Sequence, residues 1–256
     1  MNTANTRGIA VALITVLGTA LGGMLALRTK DRMHLLLGFS GGLLLGLAAF
    51  DLIPEVASIS NHNVGNIPTY TVFLVLGFLL LHIIERISGA HEPAESEYVH
   101  DHQHTHALTA GFVGASAMVI HVFLDGVAIG LSFQVSNALG IAVAIAVVAH
   151  AFTDGLNTVA LLVSAGNWKK QSVYLLGLDG IARISGALIG TYLVTYTEQT
   201  EQYVAMYLAL FAGMLVYLAT SHILPEAHSK HPSRLTLLST VAGVCAMFII
   251  VNVAAH

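Results

Sequence analysis

Eight apolar runs follow one another along the chain with mostly short connections between them: 8–27, 34–55, 69–87, 108–133, 139–162, 174–196, 203–223 and 235–253. A helix needs about 20 predominantly apolar residues to cross a hydrocarbon core roughly 30 Å thick, so each run is long enough to span a bilayer. The 256 residues are 55% hydrophobic and only 9% Asp, Glu, Lys and Arg, against roughly 25% charged in an ordinary soluble domain. That is too little charge to cover a water-exposed surface, and it excludes a soluble enzyme and a disordered scaffold. The formal net charge of -4 excludes a basic nucleic-acid surface. The single cysteine, Cys245, lies in an apolar run, so no intrachain disulfide forms. The expected fold is an all-α integral membrane protein, with one transmembrane domain over 1–256 embedded in the lipid bilayer.

Lys and Arg collect on the cytoplasmic side of a membrane protein. The connections after spans 1, 3, 5 and 7 carry eight of them: Arg28, Lys30, Arg32, Arg86, Lys169, Lys170, Lys230 and Arg234. The opposite side carries Arg7 alone, and Arg183 lies within span 6. The alternation holds only for an even number of spans, and it puts both termini outside the cytoplasm in a plasma or inner membrane. The first run is longer than a signal-peptide core and its positive charge follows it, so it is expected to be retained.

The one long connection, 88–107, is expected on the cytoplasmic side. It holds His91, His100, His102, His104 and His106 among Glu92, Glu95, Glu97 and Asp101. With nothing apolar to bury, it is expected to be disordered. Neutral imidazoles at this density gather borderline divalent metals; the plainer alternative is a solvated linker.

Ionisable side chains at membrane depth are costly and mark pathways, relays or ligand sites. Span 4 reads His121-Val-Phe-Leu-Asp125-Gly126 and span 5 reads His150-Ala-Phe-Thr-Asp154-Gly155, the same H-x-F-x-D-G pattern repeated 29 residues on. In each, His and Asp stand one helical turn apart on one face. A single such pair is as readily a hydrogen bond that fixes packing. Two matched pairs on consecutive spans offer four metal ligands, a set suited to Zn²⁺ and also to Fe²⁺, Mn²⁺ or Co²⁺.

A second echo joins the ends of spans 2 and 7, Asp51-Leu-Ile-Pro54-Glu55 and His222-Ile-Leu-Pro225-Glu226. These spans run antiparallel, as do spans 4 and 5, which predicts an inverted repeat of spans 1–3 against 6–8 around a central pair. A midplane site within such a repeat, with proline-broken helices, is a transporter architecture. The prolines alone would equally end a helix near the interface. Asp51 and His222 are candidates for an ion path, whereas Glu55 and Glu226, one turn further out, stand nearer headgroup water. On span 6, Asp179 and Arg183 are spaced for a structural salt bridge. Gly38, Gly41, Gly42 and Gly46 on span 2, and Gly186 and Gly190 on span 6, make small-residue faces for close helix contact.

With its eight spans, outward termini, His-rich connection after span 3 and the segments HVFLDGVAIG and HAFTDGL, the chain resembles the ZIP family of zinc- and iron-type metal transporters. The segments FDLIPE and SHILPE are similar to that family too. The resemblance implies movement of a divalent metal ion toward the cytoplasm as substrate, with ligands at His121, Asp125, His150 and Asp154, and it implies a homodimer. No prosthetic group is expected. The chain departs from family members with a two-metal centre at Val122 and Ala151, where those carry polar residues, and at Arg183, where those carry an acid.

A secondary carrier is therefore the leading expectation. The alternative is an intramembrane zinc-dependent hydrolase, but no H-E-x-x-H places a Glu beside a ligand as general base. If the loop histidines only gather metal, replacing His100, His102, His104 and His106 should change apparent affinity modestly and leave uptake running. Complete loss of uptake at normal expression would put the loop in the pathway.

Overall fold

A computed structural model of the chain describes residues 3–28, 33–87, 103–135, 137–164, 169–193, 200–229 and 233–254. Among these the protein is almost wholly helical. In chain order the helices are α1 (Thr3–Arg28), α2 (Met33–Leu47), α3 (Ile53–Ile59), α4 (Thr69–Ile87), α5 (Gln103–Val135), α6 (Asn137–Ser164), α7 (Lys169–Leu193), α8 (Thr200–Leu218), α9 (Leu224–Ser229) and α10 (Arg234–Ala254). A two-residue hairpin, β1 (Asn63–Val64) against β2 (Ile67–Pro68), joins α3 to α4. It turns through Gly65 at φ 65°, a left-handed backbone that glycine adopts without penalty.

Among the described residues five helices are long and apolar enough to cross a membrane, namely Thr6–Arg28, His34–Ile59, Lys170–Tyr192, Glu201–His228 and Arg234–Val253, and shorter apolar helices cover Thr69–Ile84 and Met118–Gln134. The side chains are distributed for lipid. Leu13, Leu17 and Leu21 on α1, Leu76, Leu80 and Ile83 on α4, and Leu238, Phe248 and Ile249 on α10 face outward, while Asp125, Asp154, Asp179 and Arg183 are fully buried. Exposed Tyr174 and Tyr192 stand near the two ends of α7, about 27 Å apart at 1.5 Å per residue. That separation matches the hydrocarbon thickness, with tyrosine at both interfaces. The protein is an integral, multi-pass membrane protein.

The helices α1, α5, α6 and α7 pack together, and so do α2 to α4 with α8 to α10; the two groups meet chiefly along α2 against α6 and α5 against α8. The closest pairs are α5 with α7, α1 with α6, α2 with α10 and α4 with α8. Each is locked in the same way, by a glycine on one helix against a backbone carbonyl of the other, and the reverse. Gly126 meets the carbonyl of Arg183 and Gly186 that of Phe123; Gly155 meets Thr19 and Gly22 meets Phe152. Gly42 with Thr240 and Gly243 with Phe39 do this for α2 and α10, as Gly77 with Leu210 and Gly213 with Leu74 do for α4 and α8. Lipid tails are as apolar as leucine, so helix association in a bilayer depends on such close backbone approach.

Three local features differ from the sequence expectation. The helix carrying the first H-x-F-x-D-G motif begins at Gln103, so His104 and His106 belong to α5 and not to a loop; His91, His100 and His102 lie outside the described residues. Pro54 and Pro225 do not end their helices. Each follows a π turn, Ala48–Leu52 and Ala219–Ile223, and the helix resumes as α3 and α9. A proline ring presses on the carbonyl four residues back and brings no N–H of its own. The wider π turn accommodates this, with Ile53 N–H bonding Ala48 O and Leu224 N–H bonding Ala219 O.

Gly126→Ala and Gly155→Ala would each drive a methyl into a facing backbone carbonyl, and each is expected to cost about 1–3 kcal/mol. Gly177→Ala, with nothing within 4 Å of the added methyl, is the control. Thermal unfolding in detergent should drop for the first two and hold or rise for the third.

Candidate metal centre

The two H-x-F-x-D-G motifs meet in the middle of the α1, α5, α6 and α7 group. In each motif the glycine following the aspartate is locked against a neighbouring helix, Gly126 of α5 against α7 and Gly155 of α6 against α1. That contact sets the depth and rotation of the residue before it, and both carboxylates turn inward. His121, Asp125, His150 and Asp154 are all buried, and one ligand atom from each lies within 4.8 Å of every other.

The separations are those of a metal box. His121 Nε2 stands 3.8 Å from Asp125 Oδ2 and 3.6 Å from Asp154 Oδ1; His150 Nε2 stands 3.3 Å from Asp125 Oδ2 and 3.9 Å from Asp154 Oδ2. A tetrahedral ion with bonds of about 2.0–2.1 Å has ligand–ligand edges of about 3.3–3.4 Å. Small inward shifts would close the set. His121 Nε2 and Asp154 Oδ1 face each other without a hydrogen-bond partner for either, a condition rare for buried polar atoms outside functional sites.

Two neighbours complete the surroundings. On one side the His121 ring stacks on Phe211 of α8, centroids 5.8 Å apart and planes 9° from parallel. Phe211 stacks in turn on Tyr207, whose hydroxyl donates to the carbonyl of Leu124 at 2.6 Å. The His121 imidazole is therefore held by a helix of the other group. On the other side Arg183 Nη2 donates to Asp154 Oδ2 at 2.7 Å and to Asp125 Oδ2 at 3.1 Å.

That pairing corrects the expected salt bridge within α7. Arg183 makes no ion pair with Asp179; Asp179 Oδ2 instead accepts from Thr158 Oγ1 of α6 at 2.9 Å. Two carboxylates outweigh one. Asp51 and His222 occupy the two π turns, with Glu55 and Glu226 just beyond; all four are half-buried and none joins the four-ligand cluster. Phe211 and Tyr207 sit in an apolar run with nothing to distinguish them. Asn157 could have been found as a polar residue one turn past Asp154; its Nδ2 donates to Ser40 Oγ at 3.3 Å, joining α6 to α2 across the two groups.

Taking away one partner of a buried ion pair costs about 3–5 kcal/mol, because the other is left as an uncompensated charge. Arg183→Gln is expected to melt well below the parent protein without metal and to recover much of the loss when Zn²⁺ is added. A melting point unaffected by the substitution would show that the carboxylates do not depend on this guanidinium.

A family model described as ZIP zinc transporter matches residues 85–251. The chain is 27% identical over 231 residues to zinc transporter YKE4 of Saccharomyces cerevisiae, covering 80% of this chain and 66% of that protein. It is 26% identical over 249 residues to zinc transporter ZupT of Corynebacterium aurimucosum, covering 93% of each. Over 154 residues it is 34% identical to zinc transporter SLC39A7 of Rattus norvegicus, of which it spans 32%. Because the matched stretch is well over half of the sequence and takes in both motifs of the buried box, the chain belongs to the ZIP zinc transporter family.

Proposed function

We propose that the protein is a secondary transporter that carries a divalent transition-metal ion, zinc foremost, across the membrane toward the cytoplasm. The observation that carries this reading is the fully enclosed set of His121, Asp125, His150 and Asp154, spaced for one ion inside a membrane-embedded bundle. Relatives named as zinc transporters support zinc as the substrate and a carrier in place of the hydrolase.

The packing supports an eight-span inverted repeat. Exchanging α1 with α7, α5 with α6, the α2–α3 span with α8–α9, and α4 with α10 turns each of the four closest helix pairs into another of the four. It also carries the π turn holding Asp51 onto the one holding His222. The site would be exposed to each side in turn as the α1, α5, α6 and α7 group moves against the other. The Asn157–Ser40 and Tyr207–Leu124 hydrogen bonds across that boundary would be exchanged in the movement. Asp51, Glu55, His222 and Glu226 would line the approaches. Both termini lie outside the cytoplasm, the stretch between α4 and α5 lies inside and gathers metal together with the start of α5, and the protein works as a homodimer.

One ion is carried at a time. Arg183 keeps a permanent positive charge on α7 beside the four side chains, and a second cation would meet it there. Unit charges about 4 Å apart repel by about 4 kcal/mol at an effective dielectric near 20, and a divalent ion doubles that.

Purified protein in liposomes should take up Zn²⁺, and Asp125→Ala or Asp154→Ala should abolish uptake, since two imidazoles and one carboxylate hold the ion poorly. Anomalous diffraction from metal-soaked crystals should give one strong peak among the four ligands. Two peaks between α5, α6 and α7 would defeat the one-ion reading, and none at the ligands would defeat the site. For topology, a cysteine at position 103 in a Cys245→Ser background should react with an impermeant reagent only after the cells are permeabilised.

A further inference from the structure

Asp179 is a buried acid that the four-ligand site leaves unused. It is fully shielded on α7; Oδ2 accepts from Thr158, and Oδ1 has no hydrogen-bond partner. One turn further along the same helix Arg183 is equally buried. Its Nη2 is engaged by the two carboxylates of the site, but Nε and Nη1 have no acceptor. An acceptor and two donors, four residues apart on one helix face, are thus all left unsatisfied in a low-dielectric interior, where that condition is costly. Long side chains on a helix lean back over the preceding turn, which directs Arg183 toward the turn that holds Asp179.

An ion in the site changes where the guanidinium is most stable. The oxygens that hold Nη2, Asp125 Oδ2 and Asp154 Oδ2, also face His150 Nε2 at 3.3 and 3.9 Å. They belong to the ligand box itself. A divalent ion bound there draws on those oxygens and sets two positive charges beside a guanidinium that keeps its own. The attraction that seats Arg183 on the site is then largely cancelled by repulsion.

We propose that Asp179 is the second seat of the Arg183 guanidinium: metal binding among His121, Asp125, His150 and Asp154 displaces Arg183 from the two aspartates onto Asp179. Arg183 is then an internal cation that holds the carboxylates while the site is empty and moves one turn back when cargo arrives. Asp179 is a positioning residue, acting through Arg183 and touching no metal. The inference rests on the transport-site reading above and adds to it what makes the site exchange its own cation for the substrate.

The test is a double-mutant cycle on the full-length protein in detergent, with Zn²⁺ affinity read by competition against a chromophoric chelator. Asp179→Asn keeps the shape and an oxygen for Thr158. It should weaken Zn²⁺ binding by about tenfold, within the range for coupled sites. In an Arg183→Gln background the same substitution should change affinity by less than about twofold. Asp179→Glu should restore part of the loss. Equal weakening in both backgrounds, or none in the parent, would overturn the proposal. Should Arg183→Gln fail to fold, structures of the parent protein with and without Zn²⁺ decide the matter. The guanidinium is expected within hydrogen-bond distance of Asp179 when zinc is bound. Zinc bound with Arg183 still on Asp125 and Asp154 overturns this proposal alone, whereas no zinc at the four ligands overturns the transport-site reading and this proposal with it.

Discussion

The polar interior of this protein depends on one guanidinium. Asp125 and Asp154 place two carboxylates side by side where no water is available to solvate them, and Arg183 bonds an oxygen of each. Without that cation the two acids would repel each other across the interface between α5 and α6, with only the facing imidazoles to offset them. With it, the remaining atoms of the box, among them His121 Nε2 and Asp154 Oδ1, stay available for a metal ion. The same charge that steadies the two carboxylates is one that any cation entering the cluster must contend with.

Backbone packing delivers those side chains to their places. A glycine follows each of Asp125 and Asp154 and presses on a neighbouring carbonyl, so the depth of each carboxylate is set by main-chain contact and not by a flexible side chain. The other helix group contributes a flat aromatic surface, Phe211, against the His121 ring. His121 is thereby shared between the two helix groups: its backbone belongs to one, and the orientation of its ring partly to the other.

Much of this was legible in the sequence because the membrane makes polar residues conspicuous. The H-x-F-x-D-G pairs named the four side chains that meet in the buried cluster, since two equally spaced His–Asp pairs have few uses in an apolar helix. The glycines on α2 and α7 read correctly as contact faces for the same reason. Pairing was harder. The spacing of Asp179 and Arg183 indicated a local bridge, but spacing along one helix cannot weigh that partner against two acids arriving from elsewhere. Proline positions at 54 and 225 marked a disturbance without showing that the helix would continue beyond it. Phe211 gave no signal, because an aromatic residue in an apolar run is ordinary until its neighbour is known.

The π turns at Ala48–Leu52 and Ala219–Ile223 carry a consequence for how relatives of this chain are aligned. Each turn holds one residue more than an α-helix would need. Deleting that residue would not shorten a loop: it would straighten the helix and swing everything beyond it by about 100°, the angle of one α-helical step. A single-residue gap opposite these turns in another sequence therefore records a rotation of Glu55 or Glu226 onto a different face. Insertions and deletions that look trivial on paper are, at these two points, changes in where an acid looks.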